Sequence, residues 1–240
     1  MINVLIPMAG RGSRFEQAGY SLPKPLVDVQ GHPMISRVIE NLGIEARYIF
    51  LCLKEHVERY QLDQHLPKFC GTNPCQIVVV DQVTEGAACT ALLAQEFLEN
   101  DNELLIANSD QVVEWKSDEF LYHLRAQEAD GGILTFPASG PKWSYVRLNE
   151  VGEVIEVAEK REISSIGTVG IYYFKKGRFF VEAAQQMIQK NIRTNQEFYI
   201  APVFNEMIKE HQKILSFQIE KMHGLGTPED LERYLKTHEL

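Results

Sequence analysis

The sequence predicts an α/β protein built on a doubly wound, mostly parallel sheet, and three observations carry that expectation. Short apolar runs that suit buried strands alternate along the chain with helix-like segments. The first run leads straight into a glycine-rich loop. After Pro137 the alternation gives way to paired runs around a turn, which adds a small antiparallel sheet.

Taken in order, residues 3–7 (NVLIP) form a buried first strand that ends before Gly10 and Arg11. Residues 33–42 set Met34, Val38 and Leu42 on one helical face and stop at Gly43. Residues 48–53 (YIFLCL) read as a second strand, 56–66 as a helix and 76–80 (QIVVV) as a third strand. A small-residue helix over 86–97 follows, then a strand over 104–107 (LLIA) that ends at Asn108-Ser109-Asp110. A helix over 117–129 leads to a fifth strand over 132–136. Beyond Pro137, residues 144–148 and 154–158 pair around the turn Asn149-Glu150-Val151-Gly152. A strand over 168–174, helices over 179–190 and 202–209, a strand over 214–219 and a helix over 228–237 complete the chain. No linker, repeat or low-complexity tract interrupts it, so residues 1–240 read as one domain whose halves divide near Phe136. In such sheets ligands bind at the carboxyl ends of the strands, so the residues just after the apolar runs are the candidates for function.

Composition narrows the partners. The 240 residues are 45% hydrophobic and 24% charged, an ordinary globular balance, and the formal net charge is -9. An acidic body argues against bulk attraction to nucleic acid, but a local basic site for a small anion fits. No apolar run approaches the roughly 20 residues that span a bilayer. The start, MINVLIPMAGRGSRF, has no basic region before its apolar stretch, which argues against a secretion signal. Cys52, Cys70, Cys75 and Cys89 lack a matching His/Cys pair for zinc and read as thiols of a cytoplasmic protein.

The first strand is followed by Met8-Ala9-Gly10-Arg11-Gly12-Ser13-Arg14-Phe15. Small residues and Gly-x-Gly let backbone N–H groups close around phosphate oxygens. Pro23 and Pro25 stiffen the segment around Lys24 and hold its ammonium in place. A dinucleotide-binding loop would need a third glycine where Phe15 stands, and the Walker pattern is absent.

The full string, Ala-Gly-x-Gly-Ser-Arg-Phe, then Pro-Lys-Pro-Leu, then Gly31-His32-Pro33-Met34-Ile35, resembles the signature of the sugar-nucleotide pyrophosphorylases. These nucleotidyltransferases join a nucleoside triphosphate to a sugar 1-phosphate. Further anchors lie at residues 82–92, 104–111, 157–174, 195–205 and 224–228. The resemblance implies a Rossmann-like fold of the kind glycosyltransferases of the GT-A type share, with a nucleotide-binding half to about Phe136 and an acceptor half after it. It implies that residues 8–13 wrap the triphosphate, that Arg14 grips it, and that Lys24 stabilises the reacting phosphates. Asp110 would bind Mg²⁺, with Ser109 standing where a glycine is usual. Gln82, Gly86 and Ala87 would meet the base. Glu159, Lys160 and, more distantly, Glu197 would meet the acceptor. A homodimer is compatible with this reading.

Two departures stand out. Gly224, in Gly224-Leu225-Gly226-Thr227-Pro228, replaces the family's second metal-binding Asp, which leaves Asp110 alone or makes Glu220 or His223 a substitute. In the sugar-pocket segment, Lys142-Trp143-Ser144-Tyr145 is bulky where a glycine is usual, so Tyr145 and its neighbours reshape the acceptor site. Aromatic faces hold sugar rings or ammonium groups. The implied function is therefore Mg²⁺-dependent transfer of a nucleotidyl group to a sugar 1-phosphate or a small alcohol phosphate, serving surface polysaccharide synthesis. The alternatives are a cytidylyltransferase for a non-sugar phosphate and a nucleotide sensor that has lost the chemistry. A glycosyltransferase would show an Asp-x-Asp metal motif where Asn108-Ser109-Asp110 stands.

Overall fold

The computed structural model describes residues 1–238. Its strands are β1 (Asn3–Pro7), β2 (Asp28–Val29), β3 (His32–Pro33), β4 (Arg47–Leu53), β5 (Cys75–Val80), β6 (Leu104–Ala107) and β7 (Gln111–Val113), then β8 (Gly131–Pro137), β9 (Ser144–Leu148), β10 (Val154–Glu159), β11 (Ile166–Phe174), β12 (Ile214–Gln218) and β13 (Met222–Gly224). Nine of them form one mixed sheet. Strands β6, β1, β4 and β5 run parallel in that order. Strand β11 crosses the middle antiparallel to β6 and β8, and β12 runs parallel to β8. Two further pairs, β7 with β13 and β2 with β3, are small antiparallel sheets.

The doubly wound architecture follows from alternation along fully buried strands. In β4, Ile49, Leu51 and Leu53 pack with the helices Ala87–Leu92, Gly177–Gln189 and Phe204–Lys209 on one face. Tyr48, Phe50 and Cys52 pack with Met34–Leu42, Leu62–Cys70 and Ser117–Ala126 on the other. β1 and β6 divide the same way, with Leu5, Leu104 and Ile106 on the first face and Val4, Ile6 and Leu105 on the second. Because helices cover both faces, strands of continuous apolar character are required.

The sheet forks at β11. Its early residue Gly167 pairs with Tyr145 of β9, whereas Ile171 to Phe174 pair with β6. The residues between, Thr168 to Gly170, lie where β9 has ended and β6 has not begun, and they line the main cavity. The antiparallel β9–β10 hairpin thus joins the main sheet through β11 instead of standing apart, with Gly152 closing its turn on the Asn149 carbonyl at 3.1 Å.

Several boundaries differ from the sequence expectation. The helix expected over 56–66 is two helices, Lys54–Tyr60 and Leu62–Cys70, broken where Gln61 takes a left-handed φ of 50°. The helix expected over 86–97 is Ala87–Leu92 and Gln95–Leu98. The strands β7 and β13 and the short helix Ser13–Gln17 are too brief for periodicity to reveal.

Phe15, where a third glycine was absent, is a core anchor. It is 1% exposed, packs edge-on against Tyr20 at 5.1 Å, and joins Val27, Met34, Leu225 and Leu231 in a separate apolar cluster. This cluster ties the glycine loop to the C-terminal segment. Phe15→Ala is expected to cost about 3–5 kcal/mol of stability, read from the urea midpoint. A loss below about 1 kcal/mol would show that the loop is not pinned through this ring.

Candidate functional site

The glycine loop is shaped by its buried base and by one left-handed residue. Met8 and Ala9 are buried, and the Met8 N–H donates to the Leu51 carbonyl at 3.0 Å, prolonging the β1–β4 ladder. Gly12 has φ 67°, and a Cβ there would come within 3.2 Å of the Lys24 Cβ, so glycine serves both the turn and the close approach. Gly10, Arg11, Ser13 and Arg14 are left at the surface or cavity rim.

Lys24 opens a single 3₁₀ turn, Lys24–Leu26, between Pro23 and Pro25. Its Nζ donates to Asp110 Oδ2 at 2.9 Å, with 24% and 23% of the two side chains exposed. Asp110 follows β6 and is gripped by the C-terminal segment. The Leu225 N–H donates to the Asp110 carbonyl at 2.7 Å, and a Cβ on Gly226 would lie 2.8 Å from Asp110 Oδ2.

The pair faces a cavity of about 710 Å³. From the chain before Pro137, Gly12, Ser13, Arg14, Ala87 and Ser109 also line it. From the chain after Pro137 come Glu159 and Lys160, together with Trp143 and Tyr199. Glu159 ends β10 and accepts the Ser144 hydroxyl. Burial pushes its carboxyl above the ordinary range, opposed by the Ser144 bond and Lys160 and assisted by Glu197. Lys160 Nζ donates to the Tyr199 hydroxyl at 2.6 Å and sits 4.7 Å from that ring's centre. Trp143 stands edge-on to Phe136 at 5.1 Å, with Lys142 Nζ 4.9 Å from the Trp143 ring centre.

Other candidates stand elsewhere. Arg11 lines a second cavity of about 590 Å³ on the outer side of the loop, with Arg59 and His56. Gln82 is exposed and outside the main cavity. Gly86 lies behind the wall, at φ 134°, where a Cβ would fall 2.4 Å from the Phe198 carbonyl oxygen. That contact docks the 195–199 segment onto the Ala87–Leu92 helix, and the Ala88 N–H donates to the Phe198 carbonyl at 3.0 Å. Glu197 is exposed and does not line the main cavity, although its charge reaches Glu159 and Tyr199. Tyr145 is buried, with its hydroxyl donating to the Gly140 carbonyl at 2.6 Å, and it does not line the cavity. His223 is turned to Glu114, at 3.1 Å, and Glu220 is exposed.

Sequence reasoning missed Gln111, Tyr172 and Asp230, all of which line the main cavity. Gln111 directly follows Asp110, a signal adjacency alone could have given. Asp230 is brought in only by the path of the C-terminal segment.

A raised Glu159 carboxyl means that the neutral form fits the fold best. Its contribution is present below the ordinary value of 4.5 and is lost as pH climbs through the raised folded value. Glu159→Gln mimics the neutral form, so its melting temperature relative to the unaltered protein should rise between about pH 4 and about pH 8. A pH-independent difference in thermal scans would contradict this assignment.

With this geometry in place, the comparisons are specific. The model of the family described as nucleotidyl transferase matches residues 3–239. The bifunctional protein GlmU of Methanocaldococcus jannaschii is 25% identical over 235 residues, covering 96% of this chain and 52% of that protein. The chain therefore spans about half the length of the curated relatives it matches. The fold is shared with the nucleoside-diphosphate-sugar pyrophosphorylase of Vibrio cholerae RC9, at a TM-score of 0.82 and 22% identity over 97% of this chain and 99% of that one. A UDP-glucose pyrophosphorylase complexed with UDP-glucose superposes at a TM-score of 0.79 and 16% identity, covering 99% of this chain and 100% of that one. The glycine loop, the Lys24–Asp110 pair and a family match along nearly the whole length lead to one conclusion: the chain belongs to the nucleotidyl transferase family.

Proposed function

We propose that the protein is a nucleotidyltransferase that joins a nucleoside triphosphate to a phosphorylated acceptor, with a sugar 1-phosphate as the acceptor class its relatives favour. The observation that carries the reading is one cavity with Arg14, Lys24 and Asp110 on the nucleotide side and Glu159 and Lys160 on the other. An oxygen of the acceptor phosphate attacks the α-phosphorus in line. The bond from that phosphorus to the bridging oxygen breaks, and pyrophosphate leaves with the electron pair. No group on the protein forms a covalent bond. The chain's task is to position two polyanions and offset their charge.

Arg14 and Lys24 supply cations where negative charge develops. Lys24 is prepaid for this task, because the two prolines and Asp110 hold its ammonium at the cavity wall. Glu159 offers a carboxyl to acceptor hydroxyls, and Lys160 a cation to the acceptor phosphate.

Mg²⁺ is the cofactor this reading implies. Asp110 suits it as a hard oxygen donor, and the bare Gly226 beside it leaves that carboxylate uncrowded. Among the described residues no group of three or more His, Cys, Asp or Glu stands together as a metal cage. Such an ion normally completes its shell with substrate phosphates and water, and its charge would offset that of the triphosphate.

A second acceptor class, a small alcohol phosphate carrying an ammonium group, is favoured by the Trp143 ring, over which an ammonium, that of Lys142, already sits. The bare Gly224 favours a third reading, a nucleotide sensor without chemistry. A cytoplasmic location and a place in surface polysaccharide synthesis rest on family resemblance. No described helix is long and apolar enough to cross a membrane.

A pyrophosphate-release screen of four nucleoside triphosphates against sugar phosphates and small alcohol phosphates tests the reaction. With the productive pair, Lys24→Ala and Asp110→Ala should each lower turnover by about 10²-fold or more with melting temperatures little changed. Near-normal turnover in both variants would sink the assignment.

A further inference from the structure

We propose that Asp230 supplies the second carboxylate that position 224 lacks, and that Lys142 holds its place until a metal–nucleotide complex enters. The inference rests on the nucleotidyltransferase reading and specifies how this chain meets its divalent ion.

The space at position 224 is the first observation. A Cβ built on Gly224 has one neighbour within 4 Å, Asp230 Oδ2 at 4.0 Å. A side chain there would point at the Asp230 carboxylate. The next two residues flank Asp110: the Leu225 N–H donates to its carbonyl at 2.7 Å, and a Cβ on Gly226 would lie 2.8 Å from its Oδ2. The stretch 224–226 therefore runs between two carboxylates, Asp110 and Asp230, and both line the same cavity.

The second observation is how Asp230 is held. It sits in the first turn of the helix Pro228–Thr237, yet its side chain is only 10% exposed. Lys142 Nζ donates to both of its oxygens, at 3.0 and 2.8 Å. Lys142 itself is 53% exposed, on the loop that precedes β9. Two Asp–Lys pairs thus face one cavity. Lys24–Asp110 is fixed by prolines, whereas Asp230 is held by Lys142, a solvated side chain of the kind that contributes little as an ion pair, with the exposed Arg233 Nη1 further off at 3.6 Å.

The third observation points to a ligand. Gln111, which pairs with Gly224 between β7 and β13, is 4% exposed and lines the cavity. Its Nε2 is buried and has no hydrogen-bond partner among the described residues. An orphaned donor beside Asp110 is accounted for by an acceptor oxygen that arrives with substrate.

Helix capping is the competing role for Asp230. The Thr227 hydroxyl accepts its N–H at 3.1 Å, and an acid in the first turn complements the helix dipole. Capping requires neither the inward carboxylate nor the clasp by Lys142.

Binding of Mn²⁺, alone and with each of the four nucleoside triphosphates, separates the two roles through the electron paramagnetic resonance of the free ion. No acceptor is needed. Asp230→Asn should weaken Mn²⁺ binding about tenfold or more, and Lys142→Ala should strengthen binding of Mn²⁺ alone. Adding Gly224→Asp to Asp230→Asn should restore binding, which a loss through misfolding would not allow. Unchanged Mn²⁺ affinity in Asp230→Asn, with loss in Asp110→Asn, would overturn the proposal and leave Asp230 a cap. Absence of Mn²⁺ binding by the unaltered protein would overturn it as well. Pyrophosphate release is scored separately. Release alongside unaffected Asp230→Asn binding contradicts this inference and leaves the function standing. Weakened binding with no release from any substrate pair supports the site and contradicts the function.

Discussion

The ammonium of Lys24 and the carboxylate of Asp110 come from segments 86 residues apart and meet at 2.9 Å. Both side chains are about one quarter exposed, so the pair contributes little to stability, on the order of 0–1 kcal/mol. Much of the surrounding structure nevertheless serves to place it. The prolines around Lys24, the left-handed Gly12 beneath it and the bare Gly226 beside Asp110 all remove freedom or bulk at this contact. Phe15 and Leu225 share an apolar cluster that fastens the glycine loop to the segment gripping Asp110. Investment of this kind in a weak contact makes sense where the two charges are to be redistributed among ligand phosphates.

The fork at β11 is the second constraint. By pairing first with β9 and then with β6, β11 opens a gap between the β9–β10 hairpin and the strands that precede it. Each wall brings its own polar groups, Asp110 and Gln111 from after β6 and Ser144 and Glu159 from the β9–β10 hairpin. A half-buried carboxyl at Glu159 carries a desolvation cost, and the Ser144 hydroxyl and Lys160 moderate it. Ser144 therefore has a structural role in holding the Glu159 carboxyl.

How much was legible in the sequence depends on which force dominates locally. Long apolar runs declared themselves: Leu104–Ala107 matches its expected bounds because full burial leaves no ambiguity, and Ser144–Leu148, buried only over its first three residues, matches them through the turn that pairs it with its neighbour. The break at Gln61 was invisible, since a left-handed residue at a helix junction carries no periodic signal. That Arg14, Lys24 and Asp110 would face one cavity was legible because Arg14 and Asp110 follow apolar runs and Lys24 stands in a proline-stiffened motif. Tyr145 was misplaced by reading an aromatic residue next to a candidate pocket as part of it. Strand alternation instead turns its ring inward while Ser144 lines the cavity. Asp230 was illegible because its proximity to Gly224 arises only from the turn into the closing helix.

In the function proposed, Lys24 and Asp110 face each other in order to be separated. A crystal structure of the protein soaked with Mn²⁺ and its nucleoside triphosphate, with the ion located by anomalous scattering, tests this most directly. The expected result is an anomalous peak bonded to Asp110 and the Lys24 ammonium moved onto phosphate oxygens. An intact Lys24–Asp110 pair, with nucleotide bound and the ion elsewhere, would contradict it.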